Sequence, residues 1–131
     1  MTQFILVGLG GAIGSMARYG VGVAAARLVP GTPWPWATLG VNVLGGLLMG
    51  LLVGAMAQRG GSGQETVRVL AGVGVLGGFT TFSAFSLETA MMIERRQFGM
   101  AGAYVAISVG VSIAALMVGL TVARRTFGAA L

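Results

Sequence analysis

The sequence predicts an all-α membrane protein with four transmembrane helices, and two observations lead to this prediction. First, 56% of the 131 residues are hydrophobic and only 8% are charged, whereas about a quarter of the residues of a typical soluble domain are charged. Eight basic and three acidic residues cannot cover the surface of a soluble fold of this size. Second, four apolar stretches each reach the roughly 20 residues that a helix needs to cross a bilayer.

The four stretches and their short connections predict a single transmembrane domain over residues 1–131. We expect the helices near residues 4–28, 36–56, 67–93 and 100–122, with the third helix broken mid-membrane near residues 77–81. The first stretch is too long for a signal peptide and lacks a basic segment before it, so we expect it to be retained as a helix.

The residue types exclude several classes of function. The chain contains neither cysteine nor histidine, which removes disulfides, thiolate chemistry, the usual zinc ligands and the side chain that titrates near neutral pH. The chain also has no paired carboxylates or phosphate-binding loop, so we expect no catalytic residues and no enzyme. The net charge of +5 comes from arginines scattered at the ends of the spans, so we expect no nucleic-acid partner.

The arginines give almost no preference for one orientation in the membrane. Four spans place both termini on one face, and basic residues normally concentrate on the cytoplasmic face. Here Arg59, Arg68, Arg124 and Arg125 lie on the face of the termini, against Arg27, Arg95 and Arg96 on the other. A chain with so weak a bias can insert both ways round, and two opposed copies would form an antiparallel dimer.

Glycines spaced four residues apart predict close packing between helices. Such pairs let helix backbones approach within the bilayer, where the hydrophobic effect gives no attraction between helices. The pairs are Gly10 with Gly14, Gly46 with Gly50, Gly50 with Gly54, and Gly74 with Gly78.

Two polar residues in the first two spans have a structural and a functional interpretation each. Asn42 shares a small-and-polar stripe with Thr38, and its amide can bond a neighbouring helix or offer two donors to an anion. Arg18 lies on the face of the first glycine pair. Its side chain can snorkel to the interface, or it can stand at the mouth of an anion pathway.

Three hydroxyls on the fourth span favour a polar track. Tyr104, Ser108 and Ser112 step by four residues and so share one helix face. A lone serine in a membrane helix usually bonds its own backbone, but three hydroxyls in register favour the track. Glu88 can belong to this track or to a vestibule, or it can be solvated at the membrane boundary.

The third span carries the strongest signal, because Gly77 and Gly78 are followed by Phe79-Thr80-Thr81 at mid-membrane. These are poor helix formers, and a helix opens in lipid only where its freed backbone groups are buried or find a ligand. Freed carbonyls suit a monovalent cation, and the N-terminus of the following half-helix attracts an anion. Phe82 and Phe85 follow at helical spacing. Their positive ring edges can flank an anion, although spacing alone favours ordinary core packing.

Three motifs together closely resemble the CrcB/Fluc family of fluoride channels, over the whole chain. The motifs are Gly10-Gly-Ala-Ile-Gly-Ser-Met-Ala-Arg-Tyr19, Trp36-Ala-Thr-Leu-Gly-Val-Asn42 followed by Gly46, and Gly77-Gly-Phe-Thr-Thr-Phe-Ser-Ala-Phe85. The resemblance implies a multi-pass protein of the cell (inner) membrane that exports fluoride passively. It also implies an antiparallel, dual-topology homodimer with two fluoride pores and a central structural sodium ion.

The resemblance implies a role for each candidate site residue. Phe82 and Phe85 would meet fluoride with their ring edges, Asn42 would be the pore-lining amide, and Ser83 would be its neighbour. The backbone carbonyls of Gly77 and Thr80, from both subunits, would hold the sodium ion. The remaining implied residues are the polar track, Tyr104, Ser108 and Ser112, and Arg18 in the aqueous vestibule.

Two rival functions fit the sequence less well than a fluoride channel. A small dual-topology, proton-coupled multidrug exporter needs an acidic residue buried in a span, and the first two spans contain none. A structural subunit without a transport role would leave Asn42, the hydroxyls and the helix break unexplained.

Overall fold

Four long helices make up most of the fold in the computed structural model, which describes residues 1–58, 61 and 63–128. The helices are Thr2–Leu28, Trp36–Gln58, Gln64–Glu94 and Phe98–Gly128, and each is long and apolar enough to cross a membrane. The four predicted spans are therefore confirmed, with the third beginning earlier and the fourth longer than predicted. Arg59, one of the four arginines predicted on the face of the termini, lies outside the described residues.

Two extended residues divide the third span into two halves. The N-terminal half covers residues 64–79 and contains a π-helical stretch at Arg68–Leu76. The C-terminal half is the helix Phe82–Glu94. Between them, Thr80 has φ −77° and ψ 158° and Thr81 has φ −150° and ψ 115°, which is extended backbone. The predicted break is confirmed, but it is only two residues long.

The break is shorter than the predicted residues 77–81, because Gly77 and Gly78 both remain helical and only Thr80 and Thr81 are extended. The reason lies in packing at Gly78: a Cβ atom there would lie 2.6 Å from the carbonyl oxygen of Gly11 in the first helix. Gly14 is constrained in the same way, because its Cβ would collide with the carbonyl of Val75. The first helix and the N-terminal half therefore pack backbone against backbone, as the glycine spacing predicted.

The second and fourth helices form another glycine-packed pair. A Cβ atom on Gly50 would collide with the carbonyl of Leu116, and one on Gly119 with the carbonyl of Leu47. The fold thus consists of two closely packed helix pairs. The break in the third span lies where these two pairs meet, since Thr80 contacts Gly45 of the second helix.

The C-terminal half of the third span packs against the fourth helix through larger side chains. Phe85, Met92, Ala101 and Tyr104 form the buried cluster at this contact. Elsewhere many apolar side chains point outward, and Phe4 on the first helix is 83% exposed. An apolar exterior of this kind suits contact with lipid or with another membrane-embedded chain.

Candidate ion pathway

A cavity of about 230 Å³ opens beside the break, between the second helix, the third span and the fourth helix. It contains polar groups from all three elements and two aromatic rings. Its lining residues are Asn42, Thr80, Thr81, Phe82, Phe85, Ser108, Val109 and Ser112. The fold therefore brings together six of the residues singled out from the sequence, which are far apart along the chain.

Asn42 connects the second helix to the break through both ends of its side-chain amide. Its Oδ1 accepts the backbone N–H of Thr81 at 2.8 Å, and its Nδ2 donates to the Thr81 carbonyl at 3.0 Å. The structural interpretation of Asn42 as an interhelical hydrogen bond is therefore confirmed. One of its two amide N–H groups is not used in this pairing, and Asn42 is among the residues that line the cavity.

Thr81 also caps the helix that follows the break. Its buried side-chain oxygen accepts the Ala84 N–H at 3.1 Å, as an N-cap residue does. The Oγ of Ser83 lies 3.2 Å from the same oxygen. Ser83 itself is exposed and is not among the residues that line the cavity.

The carbonyls of Gly77 and Thr80 fit a hard monovalent cation. The N–H of Thr80 bonds the Leu76 carbonyl at 3.0 Å, so helical hydrogen bonding continues up to Thr80. After it, the N–H groups of Thr81 and Ala84, which would saturate these two carbonyls in a continuous helix, bond side chains instead. Carbonyls at the C-terminal end of a half-helix and in the unwound backbone after it coordinate sodium in transporters.

The two phenylalanines differ sharply in exposure. Phe85 is 9% exposed and packs against Tyr104, with ring centroids 5.3 Å apart. Phe82 is 76% exposed, with its ring centroid 5.5 Å from that of Phe85. Both rings line the cavity, but Phe82 also faces outward, towards lipid or another chain.

The serine hydroxyls of the fourth helix are buried without a partner. Among the described residues, neither Ser108 Oγ nor Ser112 Oγ has a hydrogen-bond partner. By contrast, the exposed Thr121 hydroxyl of the same helix donates to its own backbone, to the Met117 carbonyl at 2.8 Å. A buried hydroxyl without a partner carries a desolvation cost, so these two are placed to bond a ligand in the cavity.

Glu88 joins the polar residues beyond the cavity. Its carboxylate accepts the hydroxyl of Thr38 at 2.6 Å and that of Tyr104 at 2.7 Å, one on each oxygen. Tyr104 is fully buried, and its ring packs on Phe85 at the wall of the cavity. Of the three placements left open for Glu88, the structure favours the polar track.

Arg18 lies away from this group. It is half-buried on the first helix and does not line the cavity. Its implied place in a vestibule stays a prediction.

Comparison with known proteins identifies the family. The model of a family described as CrcB-like protein, Camphor Resistance (CrcB), matches residues 5–120. The chain belongs to the CrcB family.

Relatives of this CrcB-family protein carry a common name, fluoride-specific ion channel FluC. The chain is 59% identical to the one from Phenylobacterium zucineum (strain HLK1), over 97% of this chain and 99% of the relative. It is 60% identical to that of Caulobacter sp. (strain K31), over 97% and 98%, and 49% identical to that of Hyphomonas neptunium, over 97% and 99%. These relatives and the four apolar helices make this CrcB-family chain a multi-pass membrane protein.

The sequence did not single out Thr81 for its side chain or Thr38 for its contact with Glu88. A signal for Thr81 was present, since a threonine directly before a helical apolar segment is a common N-cap. For Thr38 there was only its place on the stripe with Asn42. The pairing of Thr81 with Asn42 and that of Thr38 with Glu88 could not be predicted from the sequence, because these residues lie 39 and 50 positions apart along the chain.

Proposed function

We propose that this protein is a fluoride-selective channel that lets fluoride leave the cell passively across the inner membrane. Its CrcB family membership and the name of its relatives support this proposal. The proposed path for the anion runs through the cavity beside the helix break and along the hydroxyls of the fourth helix. In it, Phe82, Phe85 and Asn42 keep the roles that the resemblance implies.

The observation that carries the proposal is the pair of unpartnered hydroxyls at Ser108 and Ser112. Fluoride is small and strongly hydrated, so a path through the membrane must replace its water with hydrogen-bond donors. The two hydroxyls, the remaining Asn42 amide N–H and the ring edges of Phe85 offer such donors. Among the lining residues there is no fixed positive charge, and a site without one can release the anion again.

Efflux from liposomes tests the proposal directly. Purified protein is reconstituted into vesicles loaded with potassium fluoride, and release is followed with a fluoride electrode after valinomycin is added. We expect rapid fluoride release and little chloride release from matched vesicles loaded with potassium chloride. Release no faster than from protein-free vesicles would contradict the channel, and equal rates for both anions would contradict its selectivity.

The proposed assembly is an antiparallel, dual-topology homodimer with two pores. Three features support it: the weak arginine bias, the outward face of Phe82, which is 76% exposed, and the apolar exterior of the first helix. Cysteine labelling from each side of the membrane, with one cysteine introduced at the C-terminus of a chain that has none, should find both orientations. Labelling from one side only would exclude dual topology.

The proposed structural cation is sodium, held by the carbonyls of Gly77 and Thr80 from both copies. One copy offers only two such carbonyls, so a second copy is needed to replace the water of the ion. We expect dimers in detergent to be more stable in sodium chloride than in N-methylglucamine chloride. Equal stability in the two salts would exclude a structural sodium ion.

The exporter alternative has little support from the acidic residue of the third span. A proton-coupled exporter needs a buried carboxyl that exchanges protons, whereas both carboxylate oxygens of Glu88 already accept hydroxyls, from Thr38 and Tyr104. Passive flow further predicts that collapsing a proton gradient leaves fluoride release unchanged. A release rate that follows the proton gradient would favour coupled export.

A further inference from the structure

The hydrogen bonds at the break determine which backbone carbonyls stay open. In a continuous α-helix the carbonyl of Gly77 accepts the N–H of Thr81, and the carbonyl of Thr80 accepts the N–H of Ala84. Here the Thr81 N–H donates to Asn42 Oδ1 at 2.8 Å, and the Ala84 N–H donates to Thr81 Oγ1 at 3.1 Å. Two side chains therefore take the two donors that would close these carbonyls.

We infer that Asn42 and Thr81 are the positioning residues of the cation seat formed by the Gly77 and Thr80 carbonyls. Each keeps one carbonyl open by binding its helical N–H donor. This inference rests on the sodium seat proposed above. It gives Asn42 a second role beside the pore-lining one, because the same amide also borders the anion cavity.

The burial of the break explains why the Thr81 N–H depends on the Asn42 side chain as its acceptor. Thr81 is 7% exposed, so its N–H has little access to water and must find an acceptor within the protein. Without the Asn42 side chain this N–H would lose its acceptor, and the acceptor that a continuous helix would offer is the Gly77 carbonyl. The second bond, from Asn42 Nδ2 to the Thr81 carbonyl at 3.0 Å, fixes the amide at both ends and prevents it from rotating away.

The test is a sodium titration of dimer stability in detergent, with N-methylglucamine chloride keeping the ionic strength constant. The variants Asn42→Leu and Thr81→Val each remove the side-chain oxygen that accepts one of these two N–H donors. We expect the sodium concentration that gives half of the stabilisation to rise roughly tenfold in each, the effect of losing one buried hydrogen bond. A purely structural role would lower stability equally at all sodium concentrations and leave this midpoint unchanged.

Two matched controls keep the test specific. Thr81→Ser retains the capping hydroxyl and should keep the wild-type midpoint. Thr89→Val makes the same change as Thr81→Val at a hydroxyl that bonds only its own helix, donating to the Phe85 carbonyl at 2.8 Å. It should also leave the sodium midpoint unchanged.

Asn42→Asp separates the two roles of this residue. The aspartate keeps an oxygen for the Thr81 N–H but loses the N–H that donates to the Thr81 carbonyl, so the sodium midpoint should rise less than in Asn42→Leu. A carboxylate beside the anion cavity should nevertheless abolish fluoride release, because it repels the anion. Asn42→Leu should lose both properties.

Wild-type sodium midpoints in both Asn42→Leu and Thr81→Val would overturn the inference. A wild-type dimer that does not respond to sodium would overturn it together with the proposed seat. If the sodium midpoints shift as expected while wild-type vesicles release no fluoride, the channel proposal fails and this inference stands.

Discussion

The two halves of the third span are held in different ways, although they belong to one membrane crossing. The N-terminal half, residues 64–79, packs against the first helix at glycines, where even a Cβ atom on Gly14 or Gly78 would collide with the backbone opposite. The C-terminal half, Phe82–Glu94, contacts its neighbours through aromatic rings and through the hydrogen bonds of Glu88 with the second and fourth helices.

This difference suggests that one half of the span stabilises the fold and that the other half borders the cavity. Backbone packing at Gly14 and Gly78 brings the N-terminal half into direct contact with the first helix and fixes it as an anchor. Side-chain contacts in the C-terminal half leave a cavity of about 230 Å³ with unpartnered hydroxyls. Substitutions in the anchor should therefore change stability, and substitutions around the cavity should change transport more than stability.

Gly14→Ala should have the largest effect on stability. Its Cβ would collide with the Val75 carbonyl, and because backbone cannot move aside easily, we expect a loss of about 3 kcal/mol, at the upper end for overpacked sites. Unfolding in mixed micelles with increasing SDS measures it. Gly11→Ala is the matched control, since a Cβ atom there meets nothing within 4 Å. Equal losses for both would contradict the anchor.

Tyr104→Phe should have an intermediate effect. It removes the hydroxyl that donates to Glu88 at 2.7 Å and leaves one carboxylate oxygen without this partner, so we expect a loss of about 2 kcal/mol. The same micelle unfolding assay applies. Tyr19→Phe, at a side chain that is 75% exposed, should change stability little. A Tyr104→Phe variant as stable as the wild type would mean that the stability of the C-terminal half does not depend on this bond.

Arg96→Gly should have the smallest effect, and it should stabilise. Arg96 follows the C-terminal half with φ 59°, a left-handed conformation that glycine adopts without the steric cost of a Cβ atom. We expect a gain of about 0.5 kcal/mol, less than the full cost of the conformation because glycine also gains entropy in the unfolded chain. Arg95→Gly, at φ −78°, should instead destabilise. A loss of stability in Arg96→Gly would mean that its side chain matters more than its backbone.

The course of the chain through the membrane was predictable, because it depends on local properties. Four apolar stretches give four helices, and glycines at a spacing of four give the close packing at Gly14 and Gly50. The break was predictable only approximately. Helix propensity pointed to the whole segment 77–81, but packing against Gly11 keeps Gly78 helical, so the backbone opens only at the two threonines.

The hydrogen bonds of the candidate site were less predictable than its members. Spacing indicated that Asn42, Ser108 and Ser112 face the protein, and all three line one cavity. Whether a side chain offers its donors to a ligand or uses them within the protein depends on contacts between distant segments. Asn42 uses both ends of its amide on Thr81, whereas the two serines use none of theirs on the described residues.

The most direct test of the proposed pathway is fluoride release by the double variant Ser108→Ala/Ser112→Ala. Removing two unpartnered buried hydroxyls should leave the protein as stable as the wild type or slightly more stable. Fluoride release should fall at least tenfold, while Thr121→Val, whose hydroxyl bonds its own backbone, should release fluoride at the wild-type rate. A folded double variant with undiminished release would contradict the claim that fluoride passes along these hydroxyls.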